Sequence, residues 1–110
     1  MEVIDRIRQQ LDLNPIVLYM KGSPQRPTCR GSWEASRTLG RCGAEFLAVD
    51  IQLDPEIRAY LPKYSDWPSF PQLFMQGEFI GGNDIIRELY EQGELCPMVL
   101  HCQPPQASNG

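Results

Sequence analysis

A chain of 110 residues with 42% hydrophobic content has room for one domain around a modest core. Its net charge of −4, with basic residues scattered among acids, argues against a nucleic-acid partner. No apolar run approaches the roughly 20 residues of a membrane helix, and the charged opening Met1-Glu2-Val3-Ile4-Asp5-Arg6 lacks the apolar stretch of a secretory leader.

The expected setting is therefore cytoplasmic and reducing, where an even cysteine count is weak evidence for a disulfide framework. Cys29, Cys42, Cys96 and Cys102 show no C-x-x-C spacing.

Residues 2–12 read as an amphipathic helix, with Val3, Ile4, Ile7 and Leu11 on one stripe, stopped by Asn14-Pro15. Residues 16–20 form an apolar run of strand length, followed by a loop over 21–28 that carries Pro24 and Pro27. A helix is predicted over 30–41, with Gly40 and Gly43 around its end. Residues 45–51 read as a second strand. Asp54-Pro55-Glu56 then combines an N-cap, a first-turn proline and a first-turn acid, for a helix reaching about Tyr64 with Pro62 as a candidate break. Residues 72–75 and 78–81 flank Gln76-Gly77 as a hairpin. The segment from Gly82 opens a helix with Ile85, Ile86, Leu89 and Tyr90 on its apolar face and Gly93 as a stop. Residues 94–101 have room for one more turn, and the tail over 103–110 is expected to fray, leaving a domain of 1–102.

The order α-β-α-β-α-β-β-α needs a parallel pair joined by a crossover helix and a closing antiparallel hairpin. The predicted fold is α/β, a thioredoxin-like four-stranded mixed sheet flanked by helices.

Cys29 stands between the first strand and the second helix, downstream of Lys21. A cysteine at a helix N-terminus faces free N–H groups and the positive end of the dipole, which favour thiolate, the form that attacks disulfides and binds metals. The fourth position of its window is Ser32, so no neighbouring thiol can close a disulfide with it.

Several blocks, in order, carry a resemblance across roughly residues 1–95. They are Asn14-Pro15-Ile16-Val17-Leu18-Tyr19-Met20-Lys21-Gly22-Ser23-Pro24, Asp50-Ile51, Leu61-Pro62-Lys63-Tyr64, Trp67-Pro68-Ser69-Phe70-Pro71-Gln72-Leu73 and Gly77-Glu78-Phe79-Ile80-Gly81-Gly82-Asn83-Asp84. With these the chain resembles the monothiol glutaredoxins, the glutaredoxin-4-like group with a Cys-Gly-Phe-Ser motif. It departs at Arg30-Gly31, where the family has Gly-Phe, and at Asn83, where it usually has cysteine.

The resemblance implies a glutathione site. Lys21 and Arg58 would take the glycine carboxylate. Phe70, ahead of an expected cis Pro71, would pair its backbone with the tripeptide. The helix start at Asn83 and Asp84 would take the γ-glutamyl carboxylate, with Asp84 on the amine. It further implies that Cys29 ligates a labile [2Fe–2S] cluster bridging a homodimer, each protomer adding one thiolate and one glutathione, with BolA-type and iron–sulfur recipient proteins as partners.

Two other readings stand beside cluster transfer. One is a glutathione-dependent thiol-disulfide oxidoreductase acting through Cys29. The other is a drifted member that has lost the cluster, motivated by Arg30-Gly31; Arg30 is expected to be exposed, either favouring the thiolate by its charge or crowding a cluster. Outside this site, Cys42 reads as a small buried hydrophobe. Cys96 and Cys102 beside His101, the only histidine, offer too few ligands for a closed metal site.

Overall fold

The computed structural model describes residues 2–102. Every residue of strand β1 (Ile16–Met20) is buried, because helices cover both faces of the sheet it runs through. β1 pairs in parallel with β2 (Leu47–Asp50) and antiparallel with β3 (Gln72–Met75), and β3 continues into β4 (Glu78–Gly81) by the Gln76-Gly77 turn. The spatial order is β2-β1-β3-β4, the mixed four-stranded sheet expected from the sequence.

Period-two alternation sorts the core. Ile16, Leu18, Met20, Leu73 and Met75 face α2 (Arg30–Arg41), α4 (Asn83–Glu91) and α5 (Leu95–Cys102), packing on Ala35, Leu39, Ile86, Leu95 and Val99. Val17, Tyr19 and Phe74 face the other way, onto Ile7 and Leu11 of α1 (Val3–Leu13) and Ile57 and Leu61 of α3 (Pro55–Ser65). Arg6 of α1 grips the Asp54 cap of α3 through two bonds of 2.6 and 3.1 Å and reaches Glu56 at 2.7 Å. That bidentate hold keeps the Asp54 carboxyl below its usual range and raises the Arg6 guanidinium.

The elements depart from expectation in three places. β2 is shorter than 45–51. Its end is set by Asp50, whose Oδ1 accepts from the Gln52 N–H at 2.9 Å and from the Gly22 N–H at 3.0 Å. α3 runs through Pro62 to Ser65, closing with Asp66 at φ 56° and the Trp67 N–H on the Pro62 carbonyl. The final turn is a full helix, α5, since Pro97 falls in its first turn, where no intrahelical N–H is required.

The reading of Cys42 as a small buried hydrophobe is corrected: it packs, partly buried, against the core, but not as a free thiol. It forms a disulfide with Cys96, across 54 residues and with Cα atoms 4.8 Å apart, tying the C-terminal end of α2 to α5. The packing of α5 against α2 and α4, which brings these cysteines together, is a tertiary consequence that spacing does not reveal. The expected tail, 103–110, lies outside the described residues. Among those residues no helix is long and apolar enough to cross a membrane.

Candidate functional site

Cys29 is the N-cap of α2. Its backbone is extended, and its Sγ accepts from the Ser32 N–H at 3.3 Å, so the sulfur does the work a serine or aspartate oxygen usually does at this position. Ser32 is fully buried behind it. Its Oγ lies 3.2 Å from Sγ and accepts from the Lys21 N–H at 2.9 Å. With that lone pair occupied, the Ser32 hydroxyl hydrogen is free to donate to a thiolate at Cys29, while a thiol would donate to Ser32 Oγ instead. Ser32 is therefore a working partner of the sulfur. The sequence flagged it only as the residue that is not a second cysteine.

The loop that presents Cys29 is pinned by four sets of hydrogen bonds. Ser23 and Arg26 exchange backbone bonds of 3.2 and 3.1 Å, and the Thr28 N–H donates to the Lys21 carbonyl at 3.1 Å. Asp50 holds the Gly22 N–H, and Thr28 Oγ1 donates to Gln52 at 2.9 Å. Gly22 has φ +87°, and a Cβ there would collide with the Arg26 carbonyl oxygen and lie 2.8 Å from the Thr28 nitrogen.

The Phe70–Pro71 bond is cis, as expected. Buried Gln72 braces this loop by donating to the carbonyls of Trp67 and Ser69 at 2.9 and 3.1 Å. Phe70 packs its ring on the α1/α3 side of the sheet. A Cβ at Gly31 would lie 3.4 Å from Pro71 Cδ and 3.8 Å from Asn83 Cβ. Three separate segments thus meet beside Cys29: the start of α2, the cis-proline loop and the start of α4. The cleft at the sulfur, about 410 Å³, is lined by Pro27, Thr28, Cys29, Arg30 and Trp33.

The other predicted residues are dispersed around this point. Lys21 is half-buried just past the end of β1, without a side-chain ion pair among the described residues, and Arg58 is exposed on α3. Asn83 donates its side-chain amide to Glu34 at 2.7 Å rather than leaving it open to the cleft. Asp84 is exposed and receives Arg87 at 3.0 Å.

Glu34 is a hub the sequence reading did not identify. Besides Asn83 it meets Arg30 at 3.4 Å and Arg87 at 3.3 Å. The Asn83 hydrogen bond, then the two guanidinium charges, hold its carboxyl below the usual range. The Arg30/Glu34 spacing of four along one helix was the available signal.

Cys96 is committed to its disulfide, and Cys102 is buried, which pushes its thiol up. Neither forms a metal cluster with exposed His101. Among the described residues no group of three or more His, Cys, Asp or Glu side chains is arranged to hold a metal ion.

Comparison with known proteins bears directly on this arrangement. The family model described as Glutaredoxin matches residues 16–80, spanning β1, the Cys29 loop, the cis-proline and most of β4. The chain belongs to the glutaredoxin family. Glutaredoxin 4 of Escherichia coli is 51% identical over 96 residues, covering 87% of this chain and 84% of that protein. Glutaredoxin 4 of Haemophilus influenzae is 54% identical over 95 residues, covering 86% and 89%. With Ser32 in place of a resolving cysteine, the chain is a monothiol glutaredoxin of the glutaredoxin-4-like group.

Solved structures agree on the fold. The reduced apo GrxS14 of poplar superposes with a TM-score of 0.80 at 36% identity, covering 91% of this chain and 92% of that one. A buckwheat glutaredoxin solved in complex with glutathione has a TM-score of 0.79 at 24% identity, covering 90% and 88%, and shares the architecture.

Proposed function

We propose that this monothiol glutaredoxin works through Cys29 and bound glutathione, and that the pair holds a labile [2Fe–2S] cluster for transfer to recipient proteins. The observation that carries this is the partly exposed free thiol of Cys29, the other free cysteine, Cys102, being buried; Ser32 braces it at the junction of the α2 start, the cis-proline loop and the α4 start. The resemblance to the monothiol glutaredoxins supplies the ligand. Lys21 and Arg58 would receive its glycine carboxylate, and the backbone N–H and C=O of Phe70, which have no partner among the described residues, would pair with its peptide groups. The first N–H groups of α4 would take the γ-glutamyl carboxylate, with Asp84 exchanging Arg87 for the amine.

The donor set fits a shared cluster. Cys29 would hold one iron, glutathione would add a second thiolate, and a second protomer with its own glutathione would complete the four ligands. The cluster supplies exchangeable iron and sulfide as cargo. This chain's residues bind the tripeptide, fix the sulfur and present it. Homodimerisation with the cluster, and BolA-type or recipient partners, follow from the same resemblance.

The geometry of the divergent Arg30-Gly31 pair supports this reading. Arg30 leans along α2 to Glu34 and is 83% exposed, and Gly31 leaves open the space beside Pro71 that a larger side chain would fill. Reconstitution with iron, sulfide and glutathione under anaerobic conditions is expected to give a coloured dimer with visible thiolate-to-iron absorbance. A colourless monomer overturns the cluster reading.

A second reading rests on the same partly exposed sulfur: glutathione-dependent thiol exchange. The Cys29 thiolate attacks the glutathione sulfur of a glutathionylated thiol and releases that thiol. Free glutathione then attacks the Cys29 mixed disulfide, leaving as glutathione disulfide and restoring the thiolate. Turnover of a glutathionylated peptide, abolished by Cys29→Ser, tests it.

A further inference from the structure

The chain is acidic overall, yet α2 concentrates the opposite charge: Arg30, Arg37 and Arg41 stand on it against the single acid Glu34. Trp33, Arg37 and Arg41 follow one another at intervals of four, so they form one row along the helix, about 12 Å from end to end.

That row lines a groove of about 270 Å³ between α2 and α4, whose far wall is Arg87, Tyr90 and Glu91. Trp33 also lines the Cys29 cleft, so the two hollows meet at the indole ring. Trp33 is 41% exposed, and the Arg37 guanidinium sits 5.1 Å from its ring centre.

The charges in this groove are unevenly satisfied. Glu34 is already held by Asn83, Arg30 and Arg87. Arg37 and Arg41 are exposed and have no carboxylate partner among the described residues. Counting Arg30 at the cleft, four arginines face two glutamates.

We propose that this α2–α4 groove docks an acidic peptide segment of the protein that Cys29 serves, with an apolar side chain on Trp33 and carboxylates on Arg37 and Arg41. The proposal rests on the reading of Cys29 as the working sulfur. It adds a specificity surface to that site. A single small anion would satisfy one guanidinium and leave the indole uncovered, whereas a peptide spans the whole row. Exposed tryptophan flanked by arginine is the composition that concentrates binding energy at protein interfaces, and planar guanidinium groups pair with carboxylates in bidentate fashion. Opposite charge along an approach path also speeds encounter in a salt-dependent way.

The test is an amide NMR titration of the full chain with a synthetic Glu/Asp/Leu peptide that contains no cysteine, against a Lys/Leu peptide and a single-stranded oligonucleotide. Binding is then read without any reaction at Cys29. Failure here leaves the glutathione reading standing, and loss of thiol chemistry leaves this measurement unaffected. The acidic peptide is expected to shift the Trp33 indole and the amides of 33–41 and 87–91, and to bind more weakly as salt rises. Arg37→Ala with Arg41→Ala should weaken it at least about fivefold, and Trp33→Ala similarly. Arg37→Lys with Arg41→Lys should retain part of the affinity. Amide dispersion reports that each variant is folded. Equal response to the Lys/Leu peptide, tighter binding of the oligonucleotide, or undiminished affinity in the folded double alanine variant each overturns the proposal.

Discussion

Removing the Cys42–Cys96 bridge should cost this protein a large part of its stability. The bridge closes a loop of 54 residues between the end of α2 and α5. On the chain-entropy relation a loop of that length withdraws about 14 cal/mol/K from the unfolded ensemble, or about 4 kcal/mol at room temperature. For a 110-residue domain that corresponds to a fall in Tm of about 15–20 °C. Thermal or urea unfolding of oxidised protein, with and without reductant, measures it, and a thiol count in denaturant confirms the starting state. Two thiols, Cys29 and Cys102, should react before reduction and four after it. The variant Cys42→Ala with Cys96→Ala should resemble the reduced protein and ignore reductant. Four reactive thiols in oxidised protein, or an unchanged midpoint after full reduction, would refute the reasoning.

The Arg6–Asp54 clamp predicts a pH dependence. Because the Asp54 carboxyl is held below its usual value, chiefly by its hydrogen bond to Arg6, its contribution is complete above about pH 4 and disappears as pH falls through the lowered folded value. Asp54→Asn should flatten the acid limb of a stability–pH profile measured by urea denaturation. Gly22→Ala should disorder the Cys29 loop, because φ +87° and the Arg26 carbonyl leave no room for a methyl group; fewer protected amides over 21–29 in hydrogen exchange would show it. Gly40→Ala, in helix α2 with open space around its Cα, should instead raise stability by about 0.5–1 kcal/mol in the same unfolding assay.

Where local chemistry decides the structure, the sequence was a good guide. The Asp54-Pro55 start of α3, the Gln76-Gly77 hairpin, the apolar run of β1 and Cys29 ahead of α2 all follow from residues acting on their immediate neighbours. What stayed hidden depends on the chain meeting itself far along. Nothing in the spacing of Cys42 and Cys96 reveals that α5 returns to the end of α2. Asn83 turning to Glu34 could not be read from either residue alone, and it changes how the α4 start is available to a ligand. Ser32 was visible as a missing thiol, but its bonds to Lys21 and Cys29 required the end of β1 to lie against the first turn of α2.

Because the Cys29 sulfur also closes the first turn of α2, its reactivity and the capping of that helix rest on the same atom. A bond formed at the sulfur draws electron density from the lone pairs that accept the Ser32 amide, a contact of the kind worth about 1 kcal/mol. The Ser32 nitrogen resonance is therefore expected to serve as a built-in gauge of what the thiol is holding.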